Sequence, residues 1–183
     1  MTRSLSFVLL FLAASLAHAA GVGSGPAARA QTDTAARLLY TFKVNGVGLR
    51  DTYEHALRRL GEPQRTQRER RAKGCGGPHT ALTLDYPGLQ VGLRGTAAGR
   101  DFRVVSFEVT SPDWEVTPGP VPFGMHADEV LALVGEPSVN LADSGGRALI
   151  YMTQGKERGG VALRFRGDDR LVEISWRIHC DAQ

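Results

Sequence analysis

Leu60-Gly61-Glu62-Pro63 recurs 74 residues on as Val134-Gly135-Glu136-Pro137. The offset holds upstream, where Tyr53, Ala56, Leu57 and Leu60 fall on Ala127, Val130, Leu131 and Val134. Both sets have the i, i+3, i+4, i+7 spacing of one face of a short amphipathic helix. The glycine after each last apolar position can take a left-handed C-cap conformation. The proline two residues later stops the helix, because it lacks an N–H and restricts its predecessor. At the start of the first helix, Asp51 can cap, with Glu54 at the reciprocal place of a capping box. Before the second, Gly124-Met125-His126 leads in, and Asp128 and Glu129 occupy the positive end of the helix dipole. Helices this short are marginal alone and must lie on something.

Downstream of each Gly-Glu-Pro the apolar period changes to two, which predicts strands. In the first copy Leu82, Leu84 and Tyr86 alternate with polar residues, Pro87-Gly88 turns, and Leu89, Val91 and Leu93 follow; Val105, Phe107 and Val109 make a third strand. In the second copy the strands are Ala148 to Met152, then Val161, Leu163 and Phe165, then Val172, Ile174, Trp176 and Ile178. A polar hairpin spans Thr153 to Gly159, and Leu38 to Val44 offers one further strand before the first copy. The expected fold class is therefore α+β, a tandem repeat of a short helical segment packed on a three- to four-stranded antiparallel sheet. One sheet face is apolar and the other wet. The expected boundaries are 37–112 and 123–183 for the two units, with a proline-bearing linker at 113–122 and a flexible leader at 20–36.

Residues 1–19, MTRSLSFVLLFLAASLAHA, read as a cleavable export signal. Arg3 is the positive start, Leu5 to Leu16 the apolar run, and Ala17-His18-Ala19 a small-x-small site that predicts cleavage after Ala19. The run is short of the roughly 20 residues a membrane span needs, and no cysteine follows it to accept a lipid. The expected location is periplasmic or secreted, without stable membrane insertion. The formal charge of +3 over 183 residues is mild. Nucleic-acid binders concentrate more positive charge on one face, so no nucleic-acid partner is expected.

Cys75 and Cys180 are the only cysteines. In an oxidising compartment a disulfide is the default. A bond between them would tie the two units together and close a loop worth up to roughly 4–5 kcal/mol on the chain-entropy model. Two separate thiols, or an intermolecular link, are the alternatives. No HExxH and no tight His/Asp/Glu spacing occurs, so neither a metal nor another cofactor is expected, and no catalytic residue is assigned. Candidate partner contacts are Arg68, Arg70 and Arg71 in the basic stretch read as a loop between helix and sheet. Arg164, Arg166 and Arg177 join them from the wet sheet face, where Glu173 can pair across strands. Asp85 and Tyr86 complete the set at the Pro87-Gly88 hairpin. Tyr86 fits either an exposed anchor or, by its place in the alternation, a buried one.

The stretch from Gly124 through Met125, Glu129, Val130 and Gly135 to Pro137 resembles the opening of the outer-membrane assembly lipoprotein family (SmpA/OmlA-like), and Gly46 to Glu54 resembles a diverged form of the same start. The beta-lactamase inhibitor protein-like fold is similar, with two such units in tandem. The resemblance spans roughly residues 44–180. It implies a non-enzymatic binding or structural module of the bacterial cell envelope, with a protein or envelope component as partner and the oligomeric state open. It differs from the lipoproteins in having two units and no lipid acceptor, and from the inhibitors in the placing of its cysteines. One alternative is an enzyme inhibitor that enters a cleft through an exposed hairpin bearing Asp85 and Tyr86. Another is an enzyme with a site at the seam between the units, near Trp114, His126 and Asp128.

Overall fold

The computed structural model describes residues 34, 37, 38, 40–72, 77–117, 121–153 and 157–180, apart from the side chains of 157, 158, 179 and 180. In chain order its elements are β1 (Lys43–Val44), β2 (Val47–Gly48), α1 (Tyr53–Leu60), β3 (Arg65–Arg71), β4 (His79–Tyr86), β5 (Leu89–Gly95) and β6 (Arg103–Val109). They continue with β7 (Val116–Thr117), α2 (Ala127–Val134), β8 (Val139–Asp143), β9 (Gly146–Met152), β10 (Glu157–Phe165) and β11 (Leu171–Cys180). The expected signal segment lies outside the described residues. So do Cys75 and the Cys180 side chain, and the expected disulfide is not borne out.

The two helices form where the apolar spacing puts them. Ala56 and Leu60 of α1 are buried, as are Ala127 and Val130 of α2. The caps differ in detail from expectation. Thr52, not Asp51, caps α1, its hydroxyl accepting from the His55 N–H at 3.1 Å. Asp51 instead accepts from the Gly48 N–H at 2.8 Å and holds the preceding turn. At α2, His126 is the cap, and its own N–H donates to Glu129 at 2.9 Å in a capping box. Gly61 and Gly135 have φ of 82° and 93° but extended ψ, so they are not left-handed helical caps. A residue with a side chain would be strained at that φ.

Eight strands form one sheet in the order β3-β4-β5-β6-β11-β10-β9-β8, antiparallel throughout. This overturns the expected tandem of separate helix-on-sheet units, each with its own three- or four-stranded sheet. The reason lies in β6 and β11. Each reads as the last strand of its own meander, which would leave two exposed edges. Instead they pair with each other through Val109↔Ile174, Glu108↔Ser175, Phe107↔Trp176 and Ser106↔Arg177. Joining them removes both edges. It also stacks Phe107 on Trp176 at 4.7 Å between centroids, with Phe42 edge-on to the indole at 5.7 Å.

The core is continuous across that joint. One cross-strand row runs Leu84, Val91, Phe107, Trp176, Val161, Tyr151. None of the six is more than 2% exposed. Full burial of such side chains stabilises by about 1.5–3 kcal/mol each, against the unfolded chain. The helices lie on this face, together with the small sheet β2-β1-β7, whose Val44 and Val47 are fully buried.

The structure departs from the sequence reading at four further places. Val104 is buried and Val105 is not, because Gly92 faces Ser106 while Leu93 faces Val104, so β6 bulges at Val105. Likewise Arg164 faces Glu173 while Phe165 faces Leu171, so β11 bulges at Val172 and buries Leu171 instead. A bulge inserts one residue and shifts the alternation. Leu38 to Val44 is mostly not a strand: the described positions 37, 38, 40 and 41 are helical, and only Lys43–Val44 is extended. Finally, the basic stretch taken as a loop is strand β3.

Candidate binding face

Among the described residues, no element covers the face opposite the helices. Strand pairing sets its residues in rows. One complete row runs Arg65, Asp85, Gln90, Glu108, Ser175, Ala162, Ile150, Val139. The next runs Gln67, Thr83, Gly92, Ser106, Arg177, Gly160, Met152. Both rows are polar at the β3 end and apolar at the β8 end. The apolar strip extends to Leu141 and Ala148, which face each other. Within it Val139 is 37%, Leu141 55% and Met152 47% exposed, an unusual grouping of large apolar side chains in water.

A depression of about 280 Å³ crosses the middle of this face, where Ile150 and Met152 meet Glu108, Glu173, Ser175 and Arg177. Arg164 lies 3.5 Å from Glu173, its cross-strand partner. Burial pushes the Glu173 carboxyl above the usual carboxylate range. Arg164 opposes that rise, Glu108 adds to it, and a hydrogen bond from Ser175 opposes it again. The floor is made of small residues, Gly160, Ala162 and Ser175, so the trough can admit side chains of a partner.

The residues singled out from sequence are divided between the two faces. Arg71 and Arg177 are on the open face and line one further cavity there. Arg71 is bridged to Glu69 at 2.9 Å and 3.1 Å. Arg164 is on this face too, paired as above, while Arg166 is exposed in the turn after β10. Arg68 points to the helix side, donating to the Gly99 carbonyl at 2.6 Å with its guanidinium 5.2 Å over the Phe102 ring. Arg70 shares that side of β3 and is exposed. Asp85 accepts from Gln67 at 3.0 Å and Gln90 at 2.9 Å.

Tyr86 is buried, its hydroxyl donating to the Gly61 carbonyl at 3.1 Å. Its hairpin is tied down, since the Trp114 indole N–H donates to the Pro87 carbonyl at 2.8 Å and the Thr110 N–H to the Gly88 carbonyl at 2.9 Å. That leaves no free-standing hairpin at Asp85-Tyr86 to enter a cleft. At the seam, Trp114 is edge-on to Tyr86 at 5.6 Å, while His126 caps α2 and Asp128 meets Arg147 at 3.4 Å. Each of these already has a structural partner. Sequence reasoning missed His79, Arg94, Ile150 and Met152. Their strand alternation was the available signal, but it does not tell which strands become neighbours.

Among the described residues, no group of three or more His, Cys, Asp or Glu is placed to hold a metal ion. No helix among them is long and apolar enough to cross a membrane. No family model matches the chain, and no curated protein matches it. Two solved structures are distantly similar. One is an extracellular protein containing a SCP domain from Bacillus anthracis str. Ames, at 13% identity and a TM-score of 0.43. The match covers 70% of this chain but only 43% of that one. The other is a DUF4309 family protein from Bacillus subtilis subsp. subtilis str. 168, at 11% identity and a TM-score of 0.37, covering 69% of this chain and 78% of that one. Likeness this slight carries no argument about function. The resemblance to the assembly lipoproteins and to the beta-lactamase inhibitor fold is overturned by the single continuous sheet.

Proposed function

We propose that this chain is an exported, non-enzymatic binding module that grips a protein partner with the β8 end of its open sheet face. The observation that carries this reading is the strip of exposed Val139, Leu141 and Met152 around half-buried Ile150, beside a shallow trough. Apolar surface of this kind, flanked by charged residues, marks contact sites more than general surface does. The signal-like residues 1–19 support export to the envelope or beyond. The partner contact then consists of apolar side chains seated on Ile150 and Met152, with Arg164 and Glu173 as the polar rim.

The test is comparative capture from envelope extract by the processed chain. A Leu141→Lys, Ile150→Glu double variant is expected to lose the retained partner by about tenfold, the order of effect of truncating a contact anchor. Leu133→Lys is the control, because Leu133 is 54% exposed on α2 and not on the open face. Equal capture by the double variant, or equal loss with Leu133→Lys, sinks the reading. Thermal midpoints of all variants establish that the fold persists.

A further inference from the structure

The large sheet ends in two edges, β3 and β8, and no described strand pairs with the outer side of either. At β8 the hydrogen bonds show which backbone groups that leaves. In an antiparallel pair alternate residues turn their N–H and C=O to the partner, and the rest turn theirs away. Just past β9 the Thr153 N–H donates to the Gly159 carbonyl at 2.9 Å, toward β10. The Met152 N–H points the other way, to the Ser138 hydroxyl at 3.0 Å. Counting back in twos from Met152, Ile150, Ala148 and Gly146 also face β8, and their partners there are Val139, Leu141 and Asp143. Asn140 and Ala142 therefore turn their N–H and C=O groups outward, where no described residue bonds them. An extended strand answers such groups with a donor and an acceptor at every second residue.

Charge and symmetry decide which strand fits. At the far edge, β3 would set its four arginines against those of any second β3. β8 reads Val139-Asn140-Leu141-Ala142-Asp143, with no Lys, Arg or Pro to blunt it. Its one acid stands at the end of the strand. A two-fold axis beside Leu141 lays a second β8 antiparallel to the first. The outward groups of Asn140 in each copy then meet those of Ala142 in the other. Leu141 sits next to its own counterpart, and the two Asp143 side chains are kept at opposite ends. Val139 and Leu141, both exposed in the single chain, lose part of that exposure.

We propose that the chain pairs with a second copy of itself through β8, joining the two large sheets edge to edge about a two-fold axis at Leu141. The pairing shares Val139 and Leu141 with the contact strip proposed above. It acts through backbone groups at the edge and leaves both open faces clear, so it does not depend on what that strip binds. The test is sedimentation velocity of the folded, processed chain over a dilution series, in reducing buffer so that no disulfide links the copies. A reversible equilibrium that stops at the dimer is expected, because a two-fold interface is closed. Ala142→Pro removes an outward N–H and spares the β8–β9 ladder. It should raise the dimer dissociation constant by about tenfold or more, since each dimer loses two backbone hydrogen bonds. Ala142→Lys guards the edge with a cation and serves the same end should Ala142→Pro lose the fold. Ala142 alternates with Leu141, so neither variant changes a side chain of the open face. Met152→Glu does change one, a strand in from the edge, and should leave association within about twofold, because separated exposed charges are screened. The proposal is overturned if the chain stays monomeric through the series or assembles beyond two. It is equally overturned if Met152→Glu weakens association as much as the Ala142 variants.

Discussion

The two outer strands of the sheet are finished in opposite ways. β3, Arg65–Arg71, carries four arginines and one glutamate in seven residues, all exposed. β8, Val139–Asp143, is also exposed throughout but carries no cation, and its one acid stands at the end of the strand. An unpaired edge is a template for another strand, and charged side chains blunt it. β3 is guarded in that sense, and β8 is not. The open face repeats the contrast, with arginines near β3 and Val139, Leu141, Ile150 and Met152 near β8. A single sheet therefore offers two kinds of surface, one rich in arginine and one apolar.

The contrast has this meaning only if both edges belong to one cooperative sheet, which the β6–β11 joint requires. Trp176 is the centre of that joint, 1% exposed between Phe107 and Phe42. Its truncation to alanine should cost about 3–5 kcal/mol, in the range for large buried aromatics. Denaturant unfolding of Trp176→Ala should remain a single transition, with amide protection in β4 and β9 lost together. Two separate transitions would mean that each flank folds independently, and the comparison of edges would fail.

A smaller effect is expected from exchanging the finish of the edges. Leu141→Lys places a cation on β8 and should lower any self-association of the chain. Arg65→Val with Arg70→Ile strips β3 and should raise it. A change of about tenfold, or about 1.4 kcal/mol, in either direction is the scale to look for by light scattering over a dilution series. If both changes leave association untouched, charge is not what guards these edges.

Much of the helix-facing side was legible in the sequence, and little of the rest was. The spacing of Tyr53, Ala56, Leu57 and Leu60 gave α1, and Leu82, Leu84 and Tyr86 gave β4, because burial of one face leaves a period in the residues. β3 and β8 left no such period, since neither buries a side chain; they are strands only because β4 and β9 offer them backbone partners. The joint was invisible for a different reason. Phe107 and Trp176 alternate in the same way whether their strands are edges or neighbours. Arg71 and Arg177 were singled out for charge alone, and only the joint brings them around one cavity with Arg94 and His79.

The finest comparison sets Tyr86, next to the guarded edge, against Tyr151, next to the open one. Each hydroxyl donates to the carbonyl of the glycine that ends a helix, Tyr86 to Gly61 at 3.1 Å and Tyr151 to Gly135 at 2.9 Å. Both phenols are pushed up to about 12, Tyr86 by burial with Tyr53 and Glu62 adding, Tyr151 by burial with Glu136 adding. A folded-state value above the unfolded one of about 10 means the neutral phenol contributes stability below that pH. The contribution is lost as the pH rises through about 12. Ultraviolet titration should therefore show Tyr86 and Tyr151 ionising late. Phenylalanine at either position should cost about 0.5–1.5 kcal/mol near neutral pH, the net value of one hydrogen bond. Tyr151→Phe should cost the more, because Tyr151 is 1% exposed and Tyr86 8%. Each variant should also lose less stability than the parent between about pH 9 and about 12, since phenylalanine has no proton to release. Phenols that titrate together near 10, or variants as alkali-sensitive as the parent, would show that neither hydroxyl is held as the geometry requires.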